Sequence, residues 1–209
     1  MHAIRHLTVL VLLVGSSVSC GTPSRHDAQP AEPEMAMFDM MDPAAMAEMM
    51  ALAQPGPEHE ILARYAGEWQ GEISMSMGPG IEPITHVSPA SCRMILGGRY
   101  LQMSSAGELM GQTYDSLTML GFDRRNNAWT LVGLDTVGTY WVTGVGKQDE
   151  QGVIRMHGRD DSPTGPQVYF FEMQFVSDDE FVSAVYFTEV GGQTYDEPFK
   201  MVEVHYTRK

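Results

Sequence analysis

The sequence predicts an all-β protein, an antiparallel up-and-down β-barrel of about ten strands behind a short helix. Three observations point there. Residues 68–77 alternate polar and apolar, with Trp69, Gly71, Ile73, Met75 and Met77 against Glu68, Gln70, Glu72, Ser74 and Ser76. That is the period-2 pattern of a strand with one wet and one dry face. Asp-, Asn- and Gly-rich turns then recur at about a dozen residues' spacing to the end of the chain, the cadence of hairpins. No helical segment falls between the strands to carry a parallel crossover, so sequential antiparallel pairing is the simplest topology, and closure removes exposed edges.

The chain of 209 residues is long enough for one core plus a tail, and its 43% hydrophobic content suits a globular domain. A formal net charge of -14 with no basic stripe excludes nucleic acid as a partner. No apolar run reaches the roughly eighteen residues of a membrane-spanning helix. Cys20 and Cys92 are the two cysteines, and Cys20 falls where an export signal would be processed. The folded domain is therefore expected to keep one thiol, no disulfide and no cofactor.

Residues 1–19 read as an export signal, with Arg5 at the charged start, an apolar centre from Leu7 to Val14 and small residues before Cys20. The end of this segment resembles the lipobox of bacterial lipoproteins, which implies a lipid on Cys20. It departs at Ser17, where a lipobox prefers Leu, and Ser17-Val18-Ser19 would also suit an ordinary signal peptidase. The lipid-anchored reading is preferred because a lone Cys there has no other evident role. Gly21 after the Cys resembles lipoproteins sent to an outer membrane, so the expected location is periplasmic or outer-membrane-anchored.

Residues 20–55 form an acidic, Met-rich tether, flexible at first and then partly helical. Pro43 can open a helix in which Met46, Met49, Met50 and Ala53 share one face. Thioethers invite a Cu(I) reading, but no Cys or His stands among them, and packing on the barrel or on a partner is preferred. Pro55-Gly56-Pro57 breaks this helix, and a second is expected over Glu58–Tyr65.

The barrel domain is placed at 56–209. After the first strand, the expected strands are Ile84–Leu96, Arg99–Ala106, Thr113–Phe122, Ala128–Asp135, Thr139–Gly146, Val153–Arg159, Val168–Val176, Phe181–Glu189 and Phe199–Thr207. Pro89 costs its strand a ladder donor and suggests an edge or bulge. Gly-Gln-Thr-Tyr-Asp occurs at Gly111–Asp115 and again at Gly192–Asp196, which two hairpins with the same turn chemistry explain.

Several strings in order, PGPEHEIL, GEW, SMSMGPG, LGGRYL, TMLGFD and the closing HYTRK, resemble a bacterial family of uncharacterised proteins, domain-of-unknown-function family fifteen seventy-nine, from about Pro55 to Lys209. The resemblance implies a calycin-like barrel and brings no catalytic residues. Leu134-Asp135-Thr136 stands where that family more often shows a Trp before the Asp. A weaker resemblance is to lipocalins: Gly67-Glu68-Trp69 fits their Gly-x-Trp opening, and Arg208 falls where their last strand lays an Arg over that Trp. Such a stack of Trp69 and Arg208 would close the barrel base, contributing about 0.5–2 kcal/mol.

The functional expectation is non-catalytic binding of a small apolar ligand. Trp69, Ile73, Met75, Tyr100, Trp141, Tyr169, Phe171, Val204 and Tyr206 are the candidate lining residues. Solid filling of the barrel by these side chains is the competing outcome. A haem-binding alternative rests on a resemblance of Gly67-x-Trp69-x-Gly71 to nitrobindin-like barrels, with His205 as axial ligand. Parity opposes it, since His205 and Arg208 fall on opposite faces of an unbulged strand. An enzymatic alternative, a small hydrolase or isomerase, would draw on Asp135, His157 and Glu172, polar residues in apolar strands. No nucleophile elbow, metal motif or phosphate loop supports it, and no metal is expected. Cys92 reads as a buried inert thiol.

Overall fold

The computed structural model describes residues 42–109 and 111–209. The expected export signal, Cys20 and the first part of the tether lie outside the described residues. Two helices, α1 (Pro43–Leu52) and α2 (Pro57–Arg64), precede ten strands: β1 (Gly67–Met75), β2 (Ile84–Ile95), β3 (Tyr100–Leu109), β4 (Gln112–Asp123), β5 (Ala128–Asp135), β6 (Val142–Gln148), β7 (Ile154–Ser162), β8 (Gly165–Ser177), β9 (Glu180–Val190) and β10 (Gln193–Arg208). Each strand pairs antiparallel with the next, and β1 pairs with both β2 and β10, so the barrel closes without a free edge.

The turns follow their chemistry. Gly191-Gly192, both at positive φ, join β9 to β10 in a two-residue hairpin, as the right-handed twist of the strands favours. In the 124–127 turn the Asp123 carboxylate accepts from the Arg125 guanidinium, the Asn126 amide and the Arg125 backbone N–H, which hold its pKa well below the ordinary carboxylate range. β10 starts six residues before the expected Phe199. Its ladder is irregular between Thr194 and Phe199, a stretch that includes Pro198, which has no N–H to give. β6 starts at Val142, later than expected, which leaves Trp141 in a loop.

α1 is started by Asp42, whose Oδ1 accepts the Ala44 N–H at 3.2 Å, with Pro43 in its first turn. It buries no residue, so its Met face does not pack into the barrel, and of the two expected surfaces, barrel or partner, the first is corrected. Guanidiniums hold it instead: Arg124 donates to the carbonyls of Ala51 and Gln54, and Arg99 to that of Ala53. These are the C-terminal carbonyls that a helix leaves unpaired and that cations favour.

α2 closes one end of the barrel. Its Leu62, together with Tyr65, is inserted among Trp69, Leu101, Leu120, Trp129, Ile154 and Phe181. Tyr65 meets Phe175 and Phe181 edge-on at 5.1 and 5.0 Å, and its carbonyl accepts the Trp69 indole N–H at 2.9 Å. Arg208 lies over Trp69 with its guanidinium carbon 4.2 Å from the ring centroid, and donates to the carbonyls of Arg64, Ala66 and Asp178. We call this end the base. The opposite end, bounded by the 76–83 and 136–141 loops and three short turns, is the mouth.

Candidate functional site: the barrel lumen

Register places the inward side chains in rows. Moving toward the mouth, one row runs Ile73, Val204, Ser183, Met173, Ile154 across β1, β10, β9, β8 and β7. The next runs Met75, Val202, Val185, Phe171, Met156. On the other wall, Ala90, Ser105, Ser116 and Asp135 form a row across β2 to β5, and Met103, Thr118, Gly133 and Val142 form its neighbour across β3 to β6. Base positions such as Trp69, Leu101, Leu120, Ile154 and Phe181 are fully buried. Above them Ile73, Met75, Ser105, Tyr114, Ser116, Thr118, Phe171, Ser183, Val185, Val202 and Tyr206 all keep partial exposure on the inward face. Val204, Met173, Met156 and Tyr169 stay buried among them, so the barrel is plugged below and partly open above.

The walls of the upper half differ. Across β2 to β4 the inward groups are mainly hydroxyls. Ser88 and Ser105 share a hydrogen bond of 2.9 Å, and the Ser88 hydroxyl also donates to the Ala106 carbonyl. Across β8 to β10 they are mainly aromatic and aliphatic. Burial pushes the pKa of the Tyr206 phenol well above its ordinary value, with the Ser183 hydroxyl beside it acting in the opposite sense, and the ring stacks on Phe181 at 4.2 Å. Burial first and the Asp135 charge second also raise Tyr114, against a smaller effect of Ser116. Tyr169 reaches across Gly158 and donates its hydroxyl to Asp160 at 2.6 Å; burial and this bond push it up as well.

A family model matches residues 54–208 and carries the description "Protein of unknown function (DUF1579)". The chain belongs to this family. A comparison with curated proteins finds no match. Among solved structures, the DUF1579 chain is similar to the S-type phycobiliprotein lyase CPES from Guillardia theta. Sequence identity is 10%, the match covers 78% of this chain and 97% of that one, and the TM-score is 0.48.

The DUF1579 barrel sorts the candidate residues by height and face. Ile73, Met75, Tyr169, Phe171, Val204 and Tyr206 stand on the inward face. Trp69 also points inward, but the base plug covers it completely, so it does not line the open half. Two candidates are corrected. Tyr100 faces outward, because it pairs with Gly121 one position out of phase with inward Leu101 and Leu120; it is 40% exposed. It borders an open cleft of about 490 Å³ between α1 and the outer wall. Trp141 is 65% exposed in the 136–141 loop.

Asp135, His157 and Glu172 are not gathered into an acid–base site. Asp135 ends β5 and accepts the Val137 N–H at 2.8 Å. His157 faces outward against the Phe170 ring, and Glu172 faces outward to Arg155. His205 is likewise on the outer wall of the DUF1579 barrel, beside Glu203 and in a groove with Glu72 and Val87, so a lumenal haem on it is corrected. Parity decides this: the strand that turns Arg208 toward Trp69 turns His205 away. Cys92 is buried, and burial pushes its thiol up to about 12. Among the described residues no group of three or more His, Cys, Asp or Glu could hold a metal ion.

Tyr114, Ser116, Thr118, Ser183 and Val185 were not among the expected lining residues. Counting back from the two-residue turn between Leu109 and Gln112 pairs Tyr114 with Gly107, and that parity is the signal that would have found it.

Proposed function

We propose that this protein is a non-catalytic carrier that binds a small, largely apolar molecule in the mouth half of its barrel. It is exported and held at the periplasmic or outer-membrane surface by lipid on Cys20. The observation that carries the binding reading is the change in burial along one face. Inward residues are sealed by α2 at the base; from Ile73 upward Ile73, Met75, Phe171, Ser183, Val185 and Val202 are partly exposed, while Val204, Met173, Met156 and Tyr169 stay buried. A cavity lined mainly by apolar and aromatic groups with a few polar ones is the usual form of a small-molecule site. The separation of Asp135, His157 and Glu172 favours binding over acid–base chemistry. The anchoring reading rests on the N-terminal sequence and on the tether that follows it.

Native mass spectrometry of the protein purified from its own host tests the carrier. The expected result is a co-purifying mass of lipid size that is lost when Phe171 or Val185 is changed to Asp. Bare polypeptide that also fails to take up a neutral apolar fluorophore would overturn it. Cys20→Ser is expected to move the protein from the membrane to the soluble envelope fraction.

A further inference from the structure

The lumen has a chemical sidedness that narrows its ligand, and the narrowing rests on the carrier reading above. We infer that the ligand is a neutral amphiphile, an apolar body with an uncharged hydroxyl, ester or amide group, and that long-chain carboxylates are rejected.

The first argument is the identity of the inward charges. From Ile73 to the mouth, the inward register positions carry no Lys or Arg. The one inward guanidinium, Arg208, is at the base, laid on Trp69 and donating to backbone carbonyls. His86, which pairs with inward Ile73, is a partly exposed imidazole on the same inward row and the nearest basic group to the open half. The charged groups that share the lumen rows are carboxylates, Asp135 and Asp160. A carboxylate ligand would thus give up part of its hydration for a space that holds two carboxylates and no Lys or Arg to pair it, with the His86 imidazole as the one basic group on the inward rows, which is a costly arrangement. The tyrosines report the same field: nearby carboxylates are among the causes that raise Tyr114 and Tyr169.

The second argument is the rim. Glu82, Glu108, Asp115, Glu189, Asp196 and Glu197 lie on the mouth loops or the strand ends beside them. Among the described residues, the Arg and Lys on this half are already engaged, Arg159 by Asp161 and Lys200 by Glu203. Cations gather instead at the base, where Arg64, Arg99, Arg124 and Arg208 cap carbonyls or face Asp178. Such a field lowers the local concentration of anions at the mouth before they meet the lumen.

The third argument is what the polar wall offers. Ser116, Thr118 and Tyr114 are neutral hydroxyls that donate and accept, which matches an uncharged polar group. The facing β8–β10 wall, with Phe171, Val185 and Val202, matches the apolar body.

The test is displacement of a neutral apolar fluorophore, N-phenyl-1-naphthylamine, by a long-chain alcohol and by the fatty acid of the same chain length near neutral pH. The expected result is that the alcohol competes at least about tenfold more tightly. Thr118→Val should weaken the alcohol several-fold, and Thr118→Lys, checked for folding by circular dichroism, should turn the preference toward the acid. If the fluorophore binds and the acid competes as well as the alcohol or better, the inference is overturned while the carrier reading stands. If the fluorophore is not taken up at all, the carrier reading fails and this inference falls with it.

Discussion

Phe181 and Ser183 are two residues apart on β9, face the same interior and belong to opposite regimes. Phe181 is fully buried at the base, stacked with Tyr206 and edge-on to Trp69 and Tyr65. Ser183, one row higher, keeps partial exposure beside the Tyr206 phenol. The base concentrates aromatic burial, a helix plug and an arginine that satisfies three carbonyls. The mouth concentrates hydroxyls, carboxylates and exposed apolar residues such as Met77, Val137 and Tyr140. The difference teaches that one closed ladder can hold a stability region and a recognition region in series. Backbone pairing is continuous through both, so only the side chains distinguish them.

Substitutions can break that division, and the base should yield the largest effects. Trp69→Ala removes the ring that Arg208, Tyr65 and Phe181 share and is expected to cost about 3–5 kcal/mol, read as a lowered midpoint in denaturant unfolding. A change near zero would mean that the plug is not packed as described. Gly146→Ala comes next. A Cβ there would stand 1.8 Å from the Arg155 carbonyl oxygen, so β6 and β7 must separate, at about 1–3 kcal/mol. Arg208→Met keeps a chain over Trp69 but loses the charge and the donors to three carbonyls, for about 1–2 kcal/mol. Arg208→Lys should fall between the two, since it restores charge without the fork.

The base should also respond to alkali. Burial pushes Tyr65 and Cys92 up to about 12 in the fold, above their ordinary values of 10.0 and 9.0. Raised acid groups favour the fold fully below their ordinary values, and that contribution is lost as pH climbs through the folded ones. Stability should therefore decline between pH 9 and 12, less steeply in Cys92→Ala, as followed by thermal melts. In the folded protein at pH 8 the Cys92 thiol should react with a thiol reagent only as fast as the barrel opens.

Much of the base was legible in the sequence, because the plug rests on large apolar residues at regular spacing. The β1 alternation and the Gly-x-Trp opening located Trp69, and the parity of Arg208 against His205 allowed only one of the two inside, a choice that the pairing of Trp69 with Arg208 decides. The mouth was less legible for a physical reason. On β6 the inward positions are Val142, Gly144 and Gly146, while outward Val145 is the larger side chain beside them. Hydrophobicity then does not say which face is wet. On β3, Ser104 and Ser105 are adjacent and chemically alike, so only the pairing of Ala90 with Ser105 turns one inward. α1 misled in the other direction: its Met spacing is helical, yet the helix is held by its carbonyls and not by its methionines.

The smallest expected effect on stability is the sharpest test of the comparison. Ser183→Ala removes a hydroxyl from a partly exposed lumen position, so unfolding should stay within about 0.5 kcal/mol of the parent, while Phe181→Ala should lose about 3–5 kcal/mol. Ligand affinity should follow the opposite order of sensitivity. Ser183→Ala alters the group beside Tyr206 at the floor of the open half, and affinity should shift several-fold with the fold intact. Phe181→Ala should act mainly by lowering the folded fraction. Titrating the fluorophore into each variant well below its melting temperature separates the two. If Ser183→Ala costs as much stability as Phe181→Ala, the row above the base is packed solid and the two halves of the barrel are one core.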